Sequence, residues 1–92
     1  MNIERSRFFE RDLAKLKDAS IRKQVEKTIT LLSSNPYHPS LRNKHIVCKD
    51  ADNLYSIRVN QNYRILYLKW DEAYELYRLL DHDKYDRLVK GC

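Results

Sequence analysis

Two arginines and a histidine are the residues of this chain best suited to chemistry on a phosphate. Arg58 lies in Leu54-Tyr55-Ser56-Ile57-Arg58-Val59, and Arg64 in Tyr63-Arg64-Ile65-Leu66-Tyr67-Leu68, with Asn60-Gln61-Asn62 between the two runs. Apolar-rich runs around such a turn predict a hairpin. Side chains alternate faces along a strand. If Ile57, Val59, Ile65 and Tyr67 face a core, both guanidinium groups emerge on the opposite face. Neighbouring strands lie about 5 Å apart, so two permanently charged, phosphate-matching forks would share one patch. Exposed strand positions are often arginine for no chemical reason, which is the plain alternative. His82 adds a proton-transfer group, because an imidazole titrates near neutral pH. Asp81 and Asp83 flank it and would raise its basicity or fix its tautomer, although a surface turn would look the same.

The elements that must position these residues are legible from spacing. Asn2 to Arg5 reads as a short strand. Ser6 offers an N-cap for a helix from Arg7 to Lys17, with Phe9, Leu13 and Leu16 at helical spacing. Ser20 is expected to cap a second helix with the stripe Ile21, Val25, Ile29 and Leu32, ended by Asn35-Pro36. Lys44 to Cys48 is a strand candidate and Lys49 to Asn53 a polar turn. The hairpin follows, then the turn at Asp71-Glu72 and a last strand from Ala73 to Leu80. From His82 onward Tyr85, Leu88 and Val89 suggest a short closing helical turn. The order is β-α-α-β-β-β-β. This is an α+β fold with an N-terminal helical hairpin on one face of a mostly antiparallel, curved sheet. In this reading the other face has no second layer and exposes Arg58, Arg64, Leu66 and Leu68, a docking surface. With Gly91 the only glycine, Asn53, Asn60 and Asn62 are expected to take the positive-φ turn positions.

Composition narrows the partners. The 92 residues are expected to form one domain spanning 1–92. The formal charge of +5, from 18 Lys and Arg against 13 Asp and Glu, favours an anionic partner. No apolar run approaches the roughly 20 residues of a membrane span, and nothing at the N-terminus reads as a signal peptide. A cytoplasmic protein without membrane contact is expected. Cys48 and Cys92 have no metal-ligand spacing and read as reduced bystanders. His38, His45 and His82 lie too far apart for a local metal motif. Neither a metal nor any other cofactor is called for.

Leu-x-x-Asn-Pro at Leu32 to Pro36, Tyr-x-Ile-Arg-Val at Tyr55 to Val59, Tyr-Arg-Ile-Leu-Tyr at Tyr63 to Tyr67 and His-x-x-Tyr at His82 to Tyr85 follow the helical hairpin in order. This pattern resembles the RelE/ParE toxin superfamily over nearly the whole chain. The resemblance implies a RelE-like fold and a small toxin of a type II toxin–antitoxin pair. RelE-like members cut mRNA in the ribosomal decoding site without a metal, whereas ParE-like members poison DNA gyrase. By residue, the resemblance places the RelE-like cutting set at Arg58, Arg64, His82 and Tyr85. Ser56 stands where some relatives keep a lysine.

RNA cleavage of that kind needs removal of a 2′ proton, positive charge on the phosphorane and a proton for the leaving oxygen. Arg64 and Arg58 would hold the phosphate, because a guanidinium grips two oxygens at once. Tyr85 would stack on a splayed base, or else pin the C-terminal turn to the sheet. Lys44, His45 and Asp83 complete the expected RNA-contact set, with His45 a second candidate for proton transfer. Lys15, Lys17, Arg22, Lys23 and Lys27 read as solvated helix faces. The expected partners are a cognate antitoxin, the ribosome and mRNA, with DNA reached only indirectly through an antitoxin complex. A gyrase inhibitor and a decayed member that keeps only antitoxin binding are the alternatives.

Overall fold

The computed structural model describes residues 2–92. Its elements are β1 (Asn2–Arg5), α1 (Arg7–Lys15), α2 (Ala19–Ser34), β2 (Lys44–His45), β3 (Leu54–Arg58), β4 (Tyr63–Lys69), β5 (Ala73–Asp81) and α3 (His82–Lys90), with a 3₁₀ turn at Pro39–Leu41. The five strands form one sheet in the order β1-β5-β4-β3-β2. Only β1 and β5 run parallel; the other pairs are antiparallel. The α+β architecture is the one expected from the sequence, with the sheet's mixed character confined to β1.

Local chemistry explains most boundaries. Ser6 caps α1 as expected: its Oγ accepts from Phe9 N at 3.1 Å and donates to Tyr77 O at 3.0 Å. The second cap is a correction. Asp18, not Ser20, caps α2, accepting from Ser20 N and Ile21 N at 2.9 and 3.3 Å. A carboxylate there also suits the positive end of the helix dipole. Helix α1 stops at Lys15, and Arg22 reaches back from α2 to donate to Leu13 O and Leu16 O. Arg22 therefore ties the hairpin together instead of riding a solvated face.

The asparagine turns also work differently than expected. Among the described residues other than glycine, only Arg42 has positive φ, at 47°. Asn60 shapes its turn with its side chain, Oδ1 accepting from Asn62 N and Tyr63 N at 2.8 and 2.9 Å. This is an Asx turn, which needs no left-handed backbone.

Phe9, Leu13, Val25, Ile29 and Leu32 of the hairpin pack on Ile57, Ile65, Tyr67, Tyr74, Leu76 and Leu79 of the sheet. The step of three from Leu76 to Leu79 breaks strand alternation. A bulge explains it, since Leu66 pairs with Arg78 but Tyr67 pairs with Leu76, leaving Tyr77 extra. Tyr67 is buried, which pushes its phenol upward in pKa, and its hydroxyl donates to Asn43 Oδ1 at 2.8 Å.

The second face of the sheet is not open. Residues 82–90 form a full helix, not a closing turn. Tyr85, Leu88 and Val89 lie against Leu54, Leu66 and Leu80. Leu66, expected on a docking surface, is 0% exposed. The apolar stripe at 85, 88 and 89 is short, so only the waiting apolar floor shows that it forms a packed helix.

Arg5 forms a two-pronged ion pair with Glu26, at 2.9 and 2.6 Å, tying β1 to α2. The hydrogen bond from Arg5 holds the Glu26 carboxyl below its ordinary range. A depressed folded-state value means the pair's stabilisation is present above the unfolded carboxyl's titration and is lost as pH falls through the folded value. Glu26→Gln is expected to lower stability by no more than about 1 kcal/mol at neutral pH and by less at pH 3, as read from urea midpoints.

Candidate functional site

The β3–β4 register places the arginines. Ile57 lies opposite Ile65 and Arg58 opposite Arg64. The two isoleucines are buried under the hairpin, so the arginine side chains project from the other face. Residues directly opposite in an antiparallel pair have Cβ atoms about 5 Å apart, and like charges there destabilise the sheet. The pair survives with no carboxylate between the two groups among the described residues. Arg64 is oriented by the hairpin turn, its Nη1 donating to Asn60 O at 2.8 Å and Tyr63 O at 3.2 Å. Arg58 sits beyond the end of two-residue β2, at an uncovered strand edge, and its side chain makes no hydrogen bond among the described residues. There it also borders a cleft with Lys27, Leu31 and Ser40. Both arginines are half-buried.

His82 begins α3 at the same end of the sheet. Tyr63 pairs with Asp81, one residue before it, and His82 lines a cleft of about 370 Å³ with Gln61, Asn62, Asp81 and Asp83. The turn that orients Arg64 therefore also borders the imidazole. The carboxylate on the imidazole is not one of the two flanking it in sequence. Asp81 is engaged as the N-cap of α3, accepting from Lys84 N at 2.9 Å. Asp83 lines the cleft. His82 Nε2 instead lies 3.1 Å from Asp86 Oδ2, one helical turn on. A proton on Nε2 shared with Asp86 leaves Nδ1 as the acceptor. This i,i+4 pairing is visible in the sequence once residues 82–90 are read as a helix.

Tyr85 is drawn into the structural role. Its hydroxyl donates to Ser56 Oγ at 3.1 Å, and its ring joins the apolar contact beneath α3. Ser56 is 4% exposed. A lysine at 56 would place its ammonium under the helix and displace that bond, so the small hydroxyl fits the way α3 is seated here. Lys44, opposite Ser56, shares the arginine face at the sheet edge. His45 does not. It pairs with Tyr55 on the hairpin side, its ring 5.0 Å from that of Tyr55 and its Nε2 2.8 Å from Asp52 O. The alternation that joins Lys44 to the arginines removes His45 from them.

By register Lys44, Arg58 and Arg64 share one face of the sheet, and the β3–β4 turn that orients Arg64 also borders the cleft of the His82–Asp86 pair. Guanidinium groups are suited to gripping phosphate oxygens and an imidazole to moving a proton. No group of three or more His, Cys, Asp or Glu among the described residues is placed to hold a metal ion. No helix among them is long and apolar enough to cross a membrane.

Comparison with known proteins places the chain in a family. The model for the ParE-like toxin domain matches residues 19–87. The chain belongs to that family, within the RelE/ParE toxin superfamily, and is a toxin of the toxin–antitoxin kind. No curated protein matches the sequence. Among solved structures, a YoeB/ParE toxin from Agrobacterium tumefaciens is 15% identical, with a TM-score of 0.71 over 89% of this chain and 99% of that one. The E. coli DinJ–YafQ complex is similar at 18% identity and a TM-score of 0.71, over 90% of this chain and 94% of that one. The YoeB–YefM toxin–antitoxin heterotetramer of Staphylococcus aureus matches at 18% identity and a TM-score of 0.70, over 89% and 97% of the two chains. At these identities the likeness is one of fold.

Tyr85→Phe removes the donor to a buried hydroxyl without changing ring shape. It is expected to destabilise the protein by about 1 kcal/mol, seen as a lower denaturant midpoint with an unchanged slope.

Proposed function

We propose that this toxin is a ribosome-dependent mRNA endoribonuclease that stops translation in the cytoplasm and is neutralised by a cognate antitoxin. The single observation that carries the reading is the direct opposition of Arg58 and Arg64 across β3 and β4, at the turn that also borders the cleft of His82. A sheet retains two opposed cations at an energetic cost, and a phosphodiester bound between them removes that cost.

In this mechanism the ribose 2′-oxygen attacks phosphorus, forming the 2′-O–P bond as the P–O5′ bond breaks. His82 Nδ1 accepts the 2′ proton, with Asp86 steadying the imidazolium through Nε2. Arg64, aimed by Asn60 O, and Arg58 stabilise the negative charge of the phosphorane. The departing 5′-oxygen takes a proton from water, because Tyr85 is engaged by Ser56. The products are a 2′,3′-cyclic phosphate and a free 5′-hydroxyl. Lys44 and Asp83 border the track of the strand. His45, on the other side of the sheet, contacts it only if the RNA wraps the β2 edge. An acidic antitoxin segment suits the +5 charge of the chain, and masking of Arg58 and Arg64 would silence the site directly. The YoeB–YefM neighbour is itself a toxin–antitoxin complex.

The ParE-like description of the matching family supports a second reading, a gyrase inhibitor without nuclease chemistry. That reading leaves the His82–Asp86 pair without a task. Arg64→Ala is expected to reduce mRNA cleavage in a translation extract by about 100- to 1,000-fold, and His82→Ala by about 100-fold or more, with both proteins folded. Undiminished inhibition in both variants, or DNA damage signalling without ribosomal mRNA cleavage, would exclude the nuclease.

A further inference from the structure

We propose that Cys48 and Cys92 form a thiol–disulfide latch that clamps α3 onto the sheet and sets how well the imidazole is held beside the arginines. The two sulfurs are bonded, with Cα atoms 4.4 Å apart and a sequence separation of 44. This replaces the expectation of two reduced bystanders; the cysteines look unrelated in sequence because α3 alone brings them together. Cys48 belongs to the β2–β3 connection and Cys92 follows the last turn of α3. The bond therefore joins the C-terminal end of the helix to the β2–β3 connection beside the floor it covers.

Two further observations make this a latch and not only a brace. First, α3 has nine residues and none of them is fully buried. Isolated helices shorter than about 12–15 residues are marginal in water. Its attachments are the Tyr85–Ser56 bond, the half-buried contacts of Tyr85, Leu88 and Val89, and the disulfide. Second, both cysteines are half-exposed and line an open groove of about 530 Å³ with Leu54, Leu68, Tyr77 and Leu88. A small thiol or phosphine can reach the sulfurs without unfolding the sheet.

The exchange is balanced by a low-molecular-weight disulfide as oxidant. One cysteine thiolate attacks it to form a mixed disulfide and expels one thiolate. The second cysteine thiolate then attacks the protein sulfur and expels the other. Net, two protein thiols become one disulfide as one small disulfide becomes two thiols. A reductant reverses this. Disulfides in reducing compartments are commonly transient and redox-sensing, so the oxidised, clamped state would be the signalled one. The chemistry of the latch stands apart from the nuclease; only its consequence for RNA rests on the reading proposed above. His82 opens α3 and continues from β5, so release of the far end loosens the imidazole without detaching it. The expected effect is a several-fold slower cleavage by the reduced protein.

The test uses the full chain equilibrated with glutathione disulfide or with a phosphine. Alkylation and mass measurement should count no free thiols in the first state and two in the second. Hydrogen exchange of residues 85–92 should accelerate at least tenfold on reduction, with β4 and β5 unchanged. Cys92→Ser should exchange like the reduced protein and ignore the phosphine. Two free thiols in the glutathione-disulfide state, or equal exchange of α3 in both states, would overturn the latch. Altered exchange with identical cleavage rates would overturn its regulatory role. Absence of cleavage in both states would count against the nuclease reading, and the exchange data would still decide the latch.

Discussion

The molecule is organised by the pairing of β3 with β4, in which Ile57 meets Ile65 and Arg58 meets Arg64. Strand side chains alternate with a period of two, so a slip of one residue would move every apolar group to the wrong face. Burial of the isoleucines beneath α1 and α2 removes that freedom. The hydrophobic contact on one side of the sheet thereby holds two mutually repelling cations together on the other. The repulsion is small beside the burial of several large side chains, which is why the core can impose it.

The same sheet is closed on its second face by α3. Leu54, Leu66 and Leu80 would otherwise be an apolar floor in water, and Tyr85, Leu88 and Val89 cover it. This seat has consequences at both ends of the helix. At its start, Asp81 turns the chain from strand to helix and sets His82 at the edge of the β3–β4 turn. At its end, Cys92 reaches Cys48. The polar cleft and the covalent tie are opposite ends of one short element, and the stability of that element links them.

Several ion pairs and caps serve position more than stability. Asp12 receives both Arg78 and the Leu79 amide, holding α1 against β5 where β1 no longer pairs. Arg22 closes the end of α1, and Arg5 joins β1 to α2. The Arg5 pair is at the surface, where such a contact is worth little, whereas the Asp12 contacts are part-buried. Together they orient the hairpin over Ile57 and Ile65, on which the placement of the arginines depends. Cations that look interchangeable in the sequence thus divide into those that tie elements of the fold together, as Arg5, Arg22 and Arg78 do, and those that lie on the face opposite the hairpin.

The sequence alone determined the order of elements up to β5, the hairpin of β3 and β4 and the shared face of Arg58 and Arg64. All of these follow from local periodicity, turn chemistry and the two-residue repeat of a strand. It could not show what happens to His45, because that depends on which of two exposed faces a two-residue edge strand turns toward its neighbour. It left the last eleven residues as a helical turn, since nine residues with a thin apolar stripe do not specify a helix without a surface to rest on. Only the tertiary structure supplied that surface. With it came the pairing of His82 with Asp86, the bond from Tyr85 to Ser56 and the meeting of Cys48 with Cys92. Each of these joins groups that a packed α3 brings within reach, and contacts made by docking one element on another leave no period in the sequence to be read.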